Sequence, residues 1–223
     1  MDGASIVELV AGSELFETFG PEEIEEVATA ARARSLRRNE PVFNASDIAE
    51  DLYVVRRGRI VISIASPDGR ESVMALMEPG DLFGEMGLFV ADSARVASAR
   101  AVEPSELVSI PYPPVQRLLE ARPQLLWGVV RLLSRRLAAT DAALADSVFL
   151  DVTGRTAKRL LELAGDNDEF TLPVTQEELA GMVGASRERV NKALAQFSRL
   201  GWLEQADRRY RITDREQLAR RAM

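Results

Sequence analysis

The chain has 223 residues, 46% hydrophobic and 28% charged, a globular balance that allows two modest domains each with its own core. It contains no cysteine and no histidine, which excludes disulfides, thiolate zinc and iron–sulfur sites, histidine-held haem and any Ser–His–Asp or Cys–His centre. The net charge of −7 is unevenly spread: residues 151–223 hold 13 basic and 12 acidic side chains, the first 150 hold 15 and 23, so the C-terminal part is the half suited to a polyanion.

No apolar run is long enough to span a bilayer. The first thirteen residues carry Asp2 and Glu8 and no basic n-region, unlike a signal peptide. A cytoplasmic location with no membrane partner is expected. No ligand-spaced carboxylate loop and no GxxxxGK[ST] phosphate loop is present, so neither a metal nor an enzymatic activity is expected.

From Glu14 to Ala33 apolar residues recur at helical spacing, with Pro21, Glu22 and Glu23 as a first helical turn. From Val42 to Ile110 the pattern is β-type. Runs at 52–55, 60–64, 72–76 and 106–110 are separated by turn signals at Arg57-Gly58, Pro67-Asp68-Gly69 and Pro79-Gly80-Asp81. Asp68-Gly69 is a hairpin signal. Many short strands at regular spacing predict a barrel or a double-sheet jelly roll.

After Pro123 a helix is predicted from Gln124 to Phe149. Val130, Leu137 and Leu144 recur at heptad spacing, with Ser134, Asp141 and Val148 interleaved, the pattern of a two-stranded seam. Leu126 and Leu133 offer a second apolar stripe for packing on the helix's own domain.

The last third reads as capped helices and two short strands. Asp151 caps a helix through Thr156, Leu160, Leu161 and Leu163. Residues 165–169 form an acidic loop. Thr175 and Glu178 make a capping box, Gly184-Ala185 break the helix it opens, and Ser186 caps the next, from Arg187 to Leu200. Strands at 202–204 and 210–212 flank Asp207-Arg208-Arg209, and Thr213 with Glu216 is a second capping box. A helix, a glycine turn and a second capped helix make a helix-turn-helix with a wing. Leu179, Ala180, Val183, Val190 and Leu194 form its inner face. Glu188, Arg189 and Lys192 share an outward face with Arg187 beside them, at a helix N-terminus where side chains reach base edges. Arg208 and Arg209 on the wing suit phosphates.

The segment Gly80-Asp81-Leu82-Phe83-Gly84-Glu85-Met86-Gly87-Leu88-Phe89, followed by Arg95, Val96, Ala97 and Ala101, resembles the phosphate-binding cassette of cyclic-nucleotide-binding domains. Residues 151–155 and 174–200 resemble the DNA-binding half of the CRP/FNR superfamily, cAMP receptor protein branch, closest to its actinobacterial members. The resemblance covers essentially the whole chain and implies an α+β architecture. An N-terminal double-stranded β-helix (jelly-roll) cyclic-nucleotide-binding domain occupies 1–112, a dimerisation helix and hinge 113–150, and a C-terminal winged helix-turn-helix 151–223.

The resemblance further implies a homodimeric transcription regulator with cAMP as allosteric effector. Arg95 would meet the cyclic phosphate and Glu85 a ribose hydroxyl, with Gly84, Met86 and Val96 lining the cassette; Arg136, Thr140 and Asp141 would face the nucleotide from the long helix. Thr153, Thr175, Gln176 and Ser186 would join the recognition residues on DNA. Arg187, Glu188 and Lys192 would read TGTGA-like half-sites of an inverted repeat, and RNA polymerase would be a partner. Val130, Ser134, Leu137, Asp141, Leu144 and Val148 would form the dimer seam, and a turn near 147–151 would swing the reading heads.

The nucleotide site departs from the family pattern in three places. Val96 stands where a Ser or Thr bonds the phosphate; losing that hydrogen bond costs roughly 1.5–3 kcal/mol, about ten- to hundredfold in affinity. Asp141 replaces a Ser or Asn that touches adenine, and residues 44–50 lack the family's glycines. The alternatives are a regulator answering a different nucleotide, a constitutive regulator of the same fold, and an architectural DNA-bending protein.

Overall fold

The computed structural model describes residues 3–66, 71–89 and 94–223. The chain packs as two compact units; the division falls at Ala138–Ala139 within one long helix, and the first residues of the strand at 71–77 are counted with the second unit.

The first unit begins with α1 (Gly3–Ala11) and α2 (Pro21–Ala30), joined by a 3-10 turn at Glu14–Phe16. Pro21 occupies the first turn of α2 as expected, but the predicted helix over 14–33 is broken. Ser13 and Phe16 tighten the chain into the 3-10 turn, and β1 (Arg32–Leu36) starts directly after α2. Two four-stranded antiparallel sheets follow. One is ordered β1, β8 (Ser105–Pro111), β3 (Asp51–Arg57), β6 (Leu82–Phe83). The other is ordered β2 (Pro41–Phe43), β7 (Ser98–Ala101), β4 (Ile60–Ala65), β5 (Glu71–Met77). The Asp68-Gly69 hairpin signal lies outside the described residues. Gly58 makes the β3–β4 turn at φ +78°, where an added Cβ would lie 2.3 Å from Ser105 Oγ.

The burial of β3 explains its unbroken apolar run. Tyr53 and Val55 face a core shared by both sheets, with Leu36, Val42, Ile60, Phe83, Ala99, Ala101 and Leu107. Leu52 and Val54 face the opposite way, into a second core built with α1, α2, α3 (Tyr112–Ala121) and the start of α4 (Leu126–Phe149). A strand covered on both faces needs no polar alternation.

The buried positions on α4 are Gly128, Val129 and Leu132, following Leu125 of the preceding 3-10 turn. The sequence expectation that Leu126 and Leu133 pack on their own domain is therefore corrected: both are exposed. Gly128 decides the orientation. A Cβ there would stand 2.4 Å from the Leu15 carbonyl oxygen, so the helix turns this bare edge inward and Leu126 and Leu133 outward, beside Val130 and Leu137.

The second unit holds α5 (Val152–Ala164), α6 (Gln176–Val183), α7 (Arg187–Arg199), α8 (Arg215–Arg221) and the sheet β10 (Leu203–Ala206), β11 (Arg209–Ile212), β9 (Glu169–Thr171). Asp151 caps α5, accepting from Gly154 N at 2.8 Å, and also pairs with Arg221 of α8. The last helix is capped by Asp214, whose carboxylate accepts from Gln217 N at 3.1 Å. This corrects the expected Thr213 capping box: the Thr213 hydroxyl is taken by the Gly201 carbonyl at 2.6 Å.

Gly128→Ala is expected to lower the unfolding free energy by about 1–3 kcal/mol, although alanine is the better helix former by about 1 kcal/mol, because overpacking outweighs propensity here. Chemical denaturation checks the sign. Asp151→Ala is expected to cost about 0.5–2 kcal/mol at pH 7. The Gly154 amide first, then Arg221, hold the Asp151 carboxyl below the usual carboxylate range. Its stabilisation is therefore present above the unfolded-state pKa and lost as pH falls through the depressed one. Unfolding curves of variant and wild type should converge on the acid side.

Candidate functional site

Two constellations emerge, one in each unit. In the first, the chain leaves β6 through Gly84, at φ +81°; a Cβ there would press on Arg95 Nη1 at 3.0 Å and on the Asp51 carbonyl oxygen at 3.3 Å. Only glycine suits both the backbone and the space. Glu85 opens the 3-10 turn Glu85–Phe89 and is 1% exposed. Its Oε1 accepts from Arg136 of α4, which also donates to the Leu82 carbonyl. Gln116 of α3 holds the turn from below, donating to Leu88 O at 2.8 Å.

Arg95 is 7% exposed. Nη1 donates to the Gly84 carbonyl at 2.9 Å and the Tyr112 hydroxyl at 3.1 Å, and Nη2 to the Asp51 carbonyl at 2.7 Å. The guanidinium lies 4.2 Å from the Phe43 ring centroid, with Tyr53 and Tyr112 further round. Two atoms of this cluster are buried without a hydrogen-bond partner among the described residues: Glu85 Oε2, an acceptor, and Arg95 Nε, a donor. Unsatisfied buried groups of opposite kind on one short cassette are costly to the protein alone. They fit a ligand that carries both a hydroxyl and an anionic oxygen.

Gly84, Glu85, Arg95 and Arg136 are thus brought together as expected. Met86 and Val96 are exposed, Val96 by 63%. The turn at 44–48 lacks glycine yet still takes a left-handed residue, Ser46 at φ 74°, and is bonded on both sides of Arg95 through its backbone. Thr140 and Asp141 stand on the exposed part of α4 in the second unit. Val130, Ser134, Leu137, Asp141, Leu144 and Val148 are all exposed in the single chain, Leu137 and Leu144 by 63%. Sequence reasoning missed Phe43, Tyr53 and Tyr112, which lie on three separate elements, β2, β3 and α3, and share no spacing.

In the second unit the capping box closes as expected. Thr175 Oγ1 accepts from Glu178 N at 3.2 Å, and Glu178 Oε2 accepts from Thr175 N at 2.6 Å. Gly184 ends α6 in the left-handed region at φ 67°, and Ser186 Oγ accepts from Arg189 N at 3.4 Å to start α7. Leu179, Ala180, Val183, Val190 and Leu194 are buried, joined by Ala193 and Phe197. Arg155 binds the two ends together, donating to Val183 O at 2.8 Å and Leu150 O at 2.6 Å.

This packing leaves Ser186, Arg187, Glu188, Arg189 and Lys192 exposed along the N-terminal half of α7. Lys192 Nζ pairs with Glu188 Oε1 at 2.8 Å and holds that carboxyl below its usual range; Arg187 donates to Gln176 Oε1 at 3.5 Å. Thr153 lies half-buried in the first turn of α5. On the wing Arg209 is exposed, whereas Arg208 spends one Nη2 hydrogen on the Leu172 carbonyl at 2.9 Å. Strand β9, which completes the wing sheet, was not foreseen; three residues are too few to show a period.

Two family profiles match the chain, one in each half. The family profile of the cyclic nucleotide-binding domain matches residues 33–122, and that of the Crp-like helix-turn-helix domain matches 154–221. The chain is 36% identical over 222 residues to a CRP-like cAMP-activated global transcriptional regulator of Mycobacterium tuberculosis, covering 96% of this chain and 99% of the relative. It is 35% identical over 159 residues to the cAMP-activated global transcriptional regulator CRP of Escherichia coli O157:H7, covering 69% and 76%. Among solved structures it is similar to the c-di-GMP responsive global regulator CLP of Xanthomonas campestris, with TM-score 0.76 and 29% identity over 86% of this chain and 99% of that one.

Arg136→Ala would leave the Glu85 carboxylate buried without its cation. Since Arg136 is itself partly exposed, the expected loss is about 1–3 kcal/mol rather than the larger cost of breaking a fully buried pair. Thermal unfolding of the variant, against Arg131→Ala as a surface control, measures it.

Proposed function

The chain belongs to the CRP/FNR family of transcription regulators, and we propose that it binds DNA as a homodimer whose affinity is set by a cyclic nucleotide, with cAMP the leading effector. The carrying observation is the pair of buried orphan atoms, Glu85 Oε2 and Arg95 Nε, on the glycine cassette. A ribose hydroxyl can donate to the first and a cyclic phosphate oxygen can accept from the second. The cAMP-activated relatives support the same choice. The relatives are regulators of transcription, in line with the expectation that the chain is not an enzyme.

The working division is an effector domain over 1–112, a dimerisation helix and hinge over 113–150 and a reading head over 151–223. The exposed heptad Val130–Val148 is the proposed seam, since an apolar stripe of this period left in water calls for an identical partner. Arg136, Thr140 and Asp141 are proposed to complete the nucleotide site. Arg187, Glu188 and Lys192 are proposed to read TGTGA-like half-sites of an inverted repeat, with Arg189 and Arg209 on phosphates. The effector acts only through its differential affinity for two packings of the dimer, of which the DNA-binding one places the α7 helices about 34 Å apart. RNA polymerase is the proposed protein partner and the cytoplasm the proposed compartment.

A second reading is a different nucleotide. It is favoured by Val96, which offers the phosphate no hydroxyl, and by the likeness to a regulator described as c-di-GMP responsive. Calorimetric titration with cAMP, cGMP and cyclic di-GMP, with and without an inverted TGTGA repeat, separates the two. The expected outcome is binding of cAMP that tightens DNA binding. Arg95→Ala and Glu85→Ala should each weaken cAMP at least about tenfold, the loss of one charge-assisted hydrogen bond. A monomer that holds palindromic and scrambled duplexes equally well would sink the proposal.

A further inference from the structure

Arg95 is a buried cation with no carboxylate hydrogen-bonded to it among the described residues. Two backbone carbonyls, one phenol and the face of Phe43 hold it instead. The phenol is the side chain that joins the cassette's two halves. Tyr112 is 5% exposed; its hydroxyl donates to the Gly84 carbonyl and accepts from Arg95 Nη1. We propose that Tyr112 is a positioning residue for anion binding: its hydroxyl fixes the Arg95 guanidinium against the Gly84 turn and the Phe43 and Tyr53 rings. The inference rests on the cyclic-nucleotide reading above.

The argument is one of donor accounting. Nη1 is spent on Gly84 and Tyr112 and one Nη2 hydrogen on Asp51, which leaves the second Nη2 hydrogen and Nε–H, and Nε has no acceptor among the described residues. A guanidinium restrained at three points, with a defined donor left over, loses little freedom when an anion arrives. Val96, with an exposed apolar side chain, adds no such restraint. Burial raises the Tyr112 phenol above its ordinary value, against the pull of Arg95, so the hydroxyl keeps the proton it donates to Gly84 at neutral pH.

The test is calorimetric titration of cAMP into the full chain, wild type and Tyr112→Phe. The dissociation constant of the variant is expected to rise about tenfold, the effect of one lost charge-assisted contact. Val96→Ser returns a hydroxyl beside Arg95. It is expected to tighten cAMP about tenfold in the wild type, where Arg95 seats the phosphate, and by no more than about threefold in the Tyr112→Phe background, a non-additivity that general loosening of the fold does not produce. Equal affinity of wild type and Tyr112→Phe, or an equal Val96→Ser gain in both backgrounds, overturns the positioning role and leaves the nucleotide reading intact. Failure of the wild type to bind cAMP or cGMP overturns both. Should Tyr112→Phe not fold, Phe43→Leu is measured instead. It removes the ring over the guanidinium and is expected to weaken cAMP about threefold; unchanged affinity there overturns the proposal.

Discussion

The contact on which the first unit turns is the ion pair between Glu85 and Arg136. A carboxylate that is 1% exposed has to find a cation, and the cation it finds sits on α4 rather than on the barrel. The same arginine reaches the carbonyl of Leu82, one strand earlier. The cassette and the long helix are therefore not two features that happen to be neighbours. Through this one arginine the carboxylate of the cassette and the backbone of β6 are both tied to α4. Gly128 reinforces this from the other end, because its bare edge lets α4 lie against the Leu15 carbonyl and so sets which residues point outward.

The second unit rests on different physics. Its helices are short and are held by caps and arginines at their ends: Asp151 on α5, the Thr175–Glu178 box on α6, Ser186 on α7, Asp214 on α8, and Arg155 across the ends of α4 and α6. The buried side chains behind α7 are apolar, so the charged residues at its start are presented to solvent by packing rather than by chance. Their own ion pairing, Lys192 with Glu188, is between exposed groups and is weak enough to exchange for other partners.

What could be read from the sequence was what local rules govern. Three of the four caps, the left-handed Gly184 and the strands β3, β4, β5 and β8 follow from spacing of a few residues. Strand β1 escaped because only Leu36 of its five residues is buried, and β2 and β6 because they are three and two residues long. The face of α4 was misassigned at Leu126 and Leu133 because periodicity gives the stripes but not their direction. That direction comes from a backbone contact more than a hundred residues away in sequence. The surroundings of Arg95 were hidden for the same reason: Phe43, Tyr53 and Tyr112 meet only once the two sheets close. Arginine and glutamate could be marked as a pair of poles; the aromatic collar between them is a product of tertiary structure.

The cap of α5 has a bearing on synthesis. Asp151 is covered by Arg221, 70 residues later, and Arg215 of the same late helix grips the loop after α5 through Asp168, Gly165 and Asn167. The local cap of α5 is available as soon as Gly154 is made, whereas the contacts from Arg221 and Arg215 wait until the wing and α8 have been synthesised. The brace on this helix is therefore among the last contacts of the second unit that synthesis can complete.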